Sequence, residues 1–390
     1  MEPTVVVESS LEQKAKVDEP RPVKPRLVSL DVFRGMTVAA MILVNDPGTW
    51  TAIYPPLEHA EWNGWTPTDL VFPFFLFIVG VALEFSLAGR SDPKTRSEGT
   101  PVIRHVIYRA LILFALGVFL NGALYFPLHR WRVMGVLQRI ALCYLVAALL
   151  ALKTRVRARV AVVAGLLVGY WALMTLVPVP GFGRGQLDPE ANLGAYIDRA
   201  LMYGHLWRPR WDPEGWLSTL PAIATAILGG LAGHWLRSPA AASRKVLGLI
   251  VFGAVGMALG EIWNLWFPIN KNLWTSSFVL FTAGFASVLL AACYWIVEIL
   301  GWKHWGLPFQ VFGKNAIFAY VLSIALAKVG INVKFTAGGN LTSLQGYVYQ
   351  HLFAPLATPR MSSLLFAVTF VVVCWLPTAL LYRRKIFLKI

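Results

Sequence analysis

The run Glu58-His59-Ala60-Glu61-Trp62-Asn63-Gly64-Trp65 sets one imidazole among two carboxylates and two indoles. Histidine is the side chain best suited to move a proton near neutral pH. Flanking carboxylates orient its ring and favour its charged form. No Lys or Arg falls between residues 50 and 66. The run therefore fits a proton-transfer centre, and it also fits a solvated loop histidine. His105, His129, His205, His304 and His351 lie in or near loops and read as solvated.

Other polar groups interrupt long apolar stretches. Asp31 and Arg34 share a helix face three residues apart and can pair. Asn45 and Asp46 close the same apolar run. Asp69 opens the next, with Glu84 further along. Gln138 and Arg139 follow, with Arg139 about 9 Å deep by helical rise. His234 and Arg237, Glu261 and Asn264, and Lys314 and Asn315 complete the set. Ionisable groups in apolar helices are costly, so each is a functional candidate. They read either as ion pairs that fix helix packing or as a polar channel. Such a channel could hold a long polar cofactor or pass a solute.

The elements that must position these groups are membrane helices. The chain is 57% hydrophobic and only 14% charged, with a mean hydropathy of +0.59. Soluble domains carry about 25% charged residues. Runs of about 20 apolar residues fall near 28–49, 67–88, 103–124, 133–152, 159–178, 217–236, 246–267, 274–300, 308–328 and 362–382. The expected fold is an all-α polytopic membrane protein, a bundle of about ten transmembrane helices with both termini cytoplasmic. Residues 1–26 read as a disordered cytoplasmic tail and 27–390 as one transmembrane domain. Basic groups such as Lys153, Arg155, Arg157, Arg244, Lys245, Arg383 and Arg384 fall in the loops this topology leaves inside. The net charge of +15 is thereby explained by topology, and nucleic acid is excluded as a partner. Two long outer segments, 179–216 and 329–361, remain. The first is rich in Trp, Pro and Gly and reads as an interfacial lid or the wall of an outward cleft. Cys143, Cys293 and Cys374 sit inside apolar runs without metal-site spacing. No metal is expected.

The ordered motifs resemble a known family. They are Leu30-Asp31-Val32-Phe33-Arg34-Gly35-Met36, Leu43-Val44-Asn45, His59 to Thr66, and Asp69-Leu70-Val71-Phe72-Pro73. Gly135 to Arg139, Trp211 to Gly215, Lys271-Asn272-Leu273-Trp274-Thr275 and Gly313-Lys314-Asn315 follow. Together they resemble the heparan-alpha-glucosaminide N-acetyltransferase family over nearly all of 28–385. The resemblance implies transfer of the acetyl group of cytosolic acetyl-CoA to a glucosamine-type amine across the membrane. It implies His59 as the catalytic residue and Asn45 as its support. The lysosomal members carry a luminal domain before the first motif. The shorter form here resembles the bacterial branch, in an inner (plasma) membrane, and a homodimer is compatible with it.

Within this reading Asp46 or Asp69 would orient His59, as would Glu58 or Glu61; spacing does not choose among them. Arg34, Lys314, Asn315 and Arg237 are expected to meet acetyl-CoA. Glu61, Trp62, Asn63, Arg139, Trp211, Asp212 and Glu214 are expected to face the amino sugar or glycan end. The base route and an acetyl-histidine route both stay open. The rival readings are an O-acyltransferase of a cell-envelope glycan and a solute transporter.

Overall fold

A computed structural model describes residues 27–88, 99–122, 130–337 and 339–388. The basic tail 1–26, the charges Arg90, Lys94 and Arg96, and His129 lie outside the described residues.

In chain order the helices are α1 (Val28–Asn45), α2 (Val71–Ala88), α3 (Gly99–Gly122), α4 (Val136–Lys153), α5 (Val156–Leu176) and α6 (Leu193–Met202). Then come α7 (Trp216–Leu236), α8 (Ala242–Asn264), α9 (Ser276–Tyr294), α10 (Leu307–Lys314) and α11 (Ala316–Asn332). After a hairpin of β1 (Lys334–Ala337) and β2 (Asn340–Ser343), α12 (Leu344–Val348) and α13 (Pro359–Arg383) end the chain. The hairpin is antiparallel, with Phe335 opposite Thr342. Among the described residues nine helices are long and apolar enough to cross a bilayer, or ten when α10 and α11 count as one span. The protein is an all-α polytopic membrane protein.

The expected single helix over 308–328 is broken. α10 and α11 meet at 84°, at Asn315, whose φ of −125° and ψ of 39° leave the helical range. The buried Asn315 amide explains the break. Its Nδ2 donates to the Ile386 carbonyl (3.1 Å), and its Oδ1 accepts from the Leu388 N–H (3.0 Å). The side chain docks the C-terminal segment against the bend. The expected loop 329–361 likewise holds the hairpin and α12.

Lipid is as apolar as a side chain, so close backbone approach must hold such helices together. A Cβ added at Gly35 of α1 would lie 1.7 Å from the Phe309 carbonyl of α10, and one at Gly80 of α2 would lie 1.9 Å from the Ala226 carbonyl of α7. Both contacts need glycine. α7 is central, buried along most of its length; α8 and α3 are peripheral. A core of Phe33, Phe77, Trp274 and Phe278 joins α1, α2 and α9 and seats the polar loops at one end.

Candidate active site at the His59 end

Asp69 organises this end. It lies in a short 3-10 turn, Pro67–Leu70, that leads into α2. A proline at the first turn position and Thr66 before it set a helix start. The Asp69 carboxylate is almost wholly buried and its two oxygens have separate tasks. Oδ2 accepts the N–H groups of Ala60 and Thr66, each at 3.0 Å. That wraps the loop 58–66 around the carboxylate. Oδ1 lies 2.7 Å from His59 Nδ1. A carboxylate there selects the tautomer with a proton on Nδ1 and leaves Nε2 as acceptor. The His59 side chain is 43% exposed and Asp69 only 1%, so the ring faces outward from a buried anchor.

A second loop closes on the first. Asn270 donates to Asn63 Oδ1 (3.2 Å), and Gly64 N–H donates to the Ile269 carbonyl (2.8 Å). Gly64 has φ of +95°, which a glycine adopts freely. This second loop carries Lys271. Its ammonium lies 3.0 Å from His59 Nδ1, 3.2 Å from Nε2 and 3.6 Å from Asp69 Oδ1. Burial lowers the Lys271 pKa, against the pull of Asp69 and Glu214.

Behind the loops lies a buried ion network. Arg132 donates from Nε (2.9 Å) and Nη2 (2.6 Å) to the two oxygens of Asp212, and from Nη2 to Glu214. Asp212 also accepts the Trp207 and Glu214 N–H groups at 2.8 and 2.9 Å. Burial alone would lower the Arg132 pKa, but Glu214 and Asp212 raise it above its ordinary value. Burial would raise Glu214, but Arg132 and Arg139 hold it low. Both groups stay charged. Arg139 is fully buried, bonded to the Gly215 carbonyl (3.2 Å) and the Ser218 hydroxyl, with its guanidinium 5.1 Å from the Trp274 ring centre. Trp274 itself has φ of +53°, a strained value for a bulky residue, of the kind concentrated at functional sites.

A cavity beside the histidine loop is lined by Trp62, Trp211, Asn192, Asp198, Asp212 and Asn272, among others. Trp62 and Trp211 meet edge to face at 5.3 Å, and Trp62 Nε1 donates to the Leu187 carbonyl (3.0 Å). The segment 179–216 therefore forms a wall of this cavity. Burial raises the Asp198 pKa to about 7.

The structure sorts the sequence-derived candidates. His59 and Asp69 are brought into direct contact; Trp62, Trp211 and Asp212 line the adjoining cavity, with Asn63, Glu214 and Arg139 joined to its walls. Glu61 is exposed on the same loop. Asn45 is exposed at the end of α1, and Asp46 beyond it is raised by burial to about 7. Arg34 pairs with Asp31. Arg237 joins Glu84 at 3.4 Å. Lys314 lies 4.8 Å from the Tyr382 ring centre, and Asn315 holds the C-terminal segment. Lys271 and Arg132 were missed as site residues. The available signal for Lys271 was a single cation in a short loop otherwise free of charge.

A buried carboxylate behind a half-exposed imidazole, at one end of a bundle of membrane helices, is an arrangement chemically able to pass a proton. Comparison with known proteins is specific. The model of the family described as heparan-alpha-glucosaminide N-acetyltransferase, catalytic, matches residues 26–259. Heparan-alpha-glucosaminide N-acetyltransferase of Homo sapiens is 31% identical over 360 residues, covering 76% of this chain and 52% of the human protein. The Mus musculus protein of the same name is 30% identical over 353 residues, covering 76% and 53%. The chain belongs to this family, and it spans about half the length of the curated relatives it matches.

Proposed function

We propose that the protein is a membrane acetyltransferase that moves the acetyl group of acetyl-CoA to the amine of a glucosamine-type sugar, with His59 as the base. The observation that carries this reading is the Asp69–His59 pair, in a chain of this family. An amine attacks a thioester only when neutral. His59 Nε2 accepts the proton lost as the nitrogen bonds the carbonyl carbon. The C–S bond then breaks, and the thiolate leaves and takes a proton to become CoA thiol. Asp69 stabilises the imidazolium in between without itself being protonated. Indole faces suit a sugar ring.

Acetyl-CoA brings phosphates, which belong at the basic end of the bundle. Arg34, Arg237, Lys314 and Asn315 are all already engaged with protein partners there. Of the four, the Lys314 ammonium contacts only aromatic faces and one hydroxyl, Tyr382 at 3.5 Å. It keeps the most charge for a phosphate and is the proposed ligand. On this reading the thioester donor binds inside, His59 lies at the opposite, outer face, and both termini are inside.

The test is release of CoA thiol by purified protein given acetyl-CoA with and without glucosamine, beside His59→Ala. Release that requires both sugar and His59 is expected. Release that requires His59 but no sugar moves the reading to an acetyl-histidine route. Wild-type turnover by His59→Ala sinks it. The Asp–His pair activates a hydroxyl equally well, so a panel of amine and hydroxyl acceptors separates N- from O-transfer.

A further inference from the structure

Lys271 is the nearest charged neighbour of His59 after Asp69, and its placement is unusual. Its nitrogen is nearly equidistant from the two ring nitrogens, at 3.0 and 3.2 Å. An atom on the outward lone-pair axis of Nε2 would be much farther from Nδ1 than from Nε2. Its nitrogen therefore lies near the plane midway between the two ring nitrogens and over the ring face, off that axis. It blocks neither the Nδ1–Asp69 bond nor the direction in which Nε2 accepts a proton. What it delivers to the ring is charge.

The backbone under Lys271 is held to keep it there. The Leu273 N–H donates to Asn270 Oδ1 (2.9 Å), the Asn270 N–H donates to Thr275 Oγ1 (3.0 Å), and the Trp274 N–H donates to the Lys271 carbonyl (3.1 Å). The strained Trp274 backbone closes this turn. A surface lysine has no need of such a mount. At the ring two unlike charges oppose each other. Asp69 favours the imidazolium, while the Lys271 cation beside the ring disfavours it. Glu58 and Glu61 on the histidine's own loop are exposed, so solvent screens them. Burial lowers the Lys271 pKa, and Asp69 beside it and Glu214 from the Arg132 network oppose that fall.

We propose that Lys271 is a positioning residue that balances the Asp69 charge at His59, so that the ring is anchored by a carboxylate yet enters the reaction as an unprotonated base. This rests on the reading of His59 as the base. An anchor without a counterweight would hold the ring well but fill its proton site. With the counterweight, His59 stays free to take the proton of an incoming amine, and the imidazolium formed on the way is still stabilised by the adjacent carboxylate.

The test is the pH dependence of kcat/KM for wild type, Lys271→Met, Lys271→Gln and Lys271→Arg, with His59→Ala alongside. In Met and Gln the acid limb is expected to move up by about one pH unit. Their deficit is about tenfold on the acid side and shrinks as pH rises. Arg returns the limb toward its wild-type position. Two neutral variants guard against one that fails to fold. A uniform loss at every pH, with the limb unmoved in Met and Gln, overturns the proposal and leaves Lys271 a structural residue. An inactive His59→Ala beside an unmoved limb fells only this proposal. An active His59→Ala fells the assignment of the base and the proposal with it.

Discussion

The two ends of α2 carry the same ingredients in different arrangements. At one end Asp69 holds His59 and Lys271. Roughly four turns away, about 22 Å at the helical rise, Glu84 holds His234, Arg159 and Arg237. Each cluster has one mostly buried carboxylate, one half-exposed histidine and basic neighbours. The Glu84 oxygens are shared among three cations: Arg159 at 3.0 Å, His234 at 3.2 Å and Arg237 at 3.4 Å. Asp69 gives one oxygen to two backbone N–H groups and the other to His59 at 2.7 Å, with Lys271 3.6 Å from that second oxygen. The comparison teaches that a carboxylate aims a histidine when its other oxygen is fixed by backbone N–H groups, and merely shares charge when guanidiniums crowd it. Glu84 neutralises guanidiniums; Asp69 aims a ring.

The largest effect that could break this contrast belongs to Asp69→Asn. The amide oxygen is expected to take over the Ala60 and Thr66 N–H groups, turning its NH2 toward Nδ1. That forces the proton onto Nε2, and kcat falls by about 10³-fold or more with protein yield retained, as judged by acetyl-transfer assay and size-exclusion profile. A mild loss would show that Asp69 orients the loop alone.

Glu84→Gln should fail in the opposite observable. It strands the buried Arg159 without a counter-charge, at about 3–5 kcal/mol. The expected result is a large drop in melting temperature and yield, with turnover per folded molecule within about threefold of wild type. Loss of turnover in a stable variant would merge the two ends into one functional unit.

Arg132→Lys sharpens the picture of the His59 end. Lysine cannot make the forked contact to Asp212 while reaching Glu214. A cost of about 1–3 kcal/mol is expected in thermal unfolding, together with faster proteolysis of segment 203–216. Unchanged cleavage would show that this segment is held from elsewhere.

The smallest effect is a pH dependence. The folded Asp198 carboxyl holds its proton up to about pH 7, against 3.8 for a freely solvated aspartate. A raised carboxyl makes the folded state bind the proton more tightly. Its contribution is therefore most favourable below about pH 4, declines as pH rises toward 7, and is flat above. Asp198→Asn keeps an acceptor for the Trp216 N–H, now 2.9 Å from the carboxylate, and removes this slope. Its melting temperature should exceed wild type by a few degrees at pH 8 and match it near pH 4. Equal shifts at both pH values would place the carboxyl in contact with water.

Much of the architecture was legible in one dimension, because a bilayer demands long apolar helices with internally satisfied backbones. The spans and the polar breaks in them follow from local composition. So does the prominence of His59, whose carboxylates, indoles and lack of basic neighbours are adjacent along the chain. The family too was legible, since its motifs are short and contiguous. Which carboxylate anchors His59 was not. Asp46, Glu58, Glu61 and Asp69 are all near in sequence, and only the wrap of the loop around the Asp69 oxygens separates them. The break at Asn315 was hidden in the same way, because the partners of its amide lie at the other end of α13. Lys271 reaches His59 from more than two hundred residues away. Sequence by itself determined where the chain enters the membrane and which residues are chemically able. The tertiary structure decided which of them meet, because charge and hydrogen bonding act over a few ångströms of space and take no account of separation along the chain.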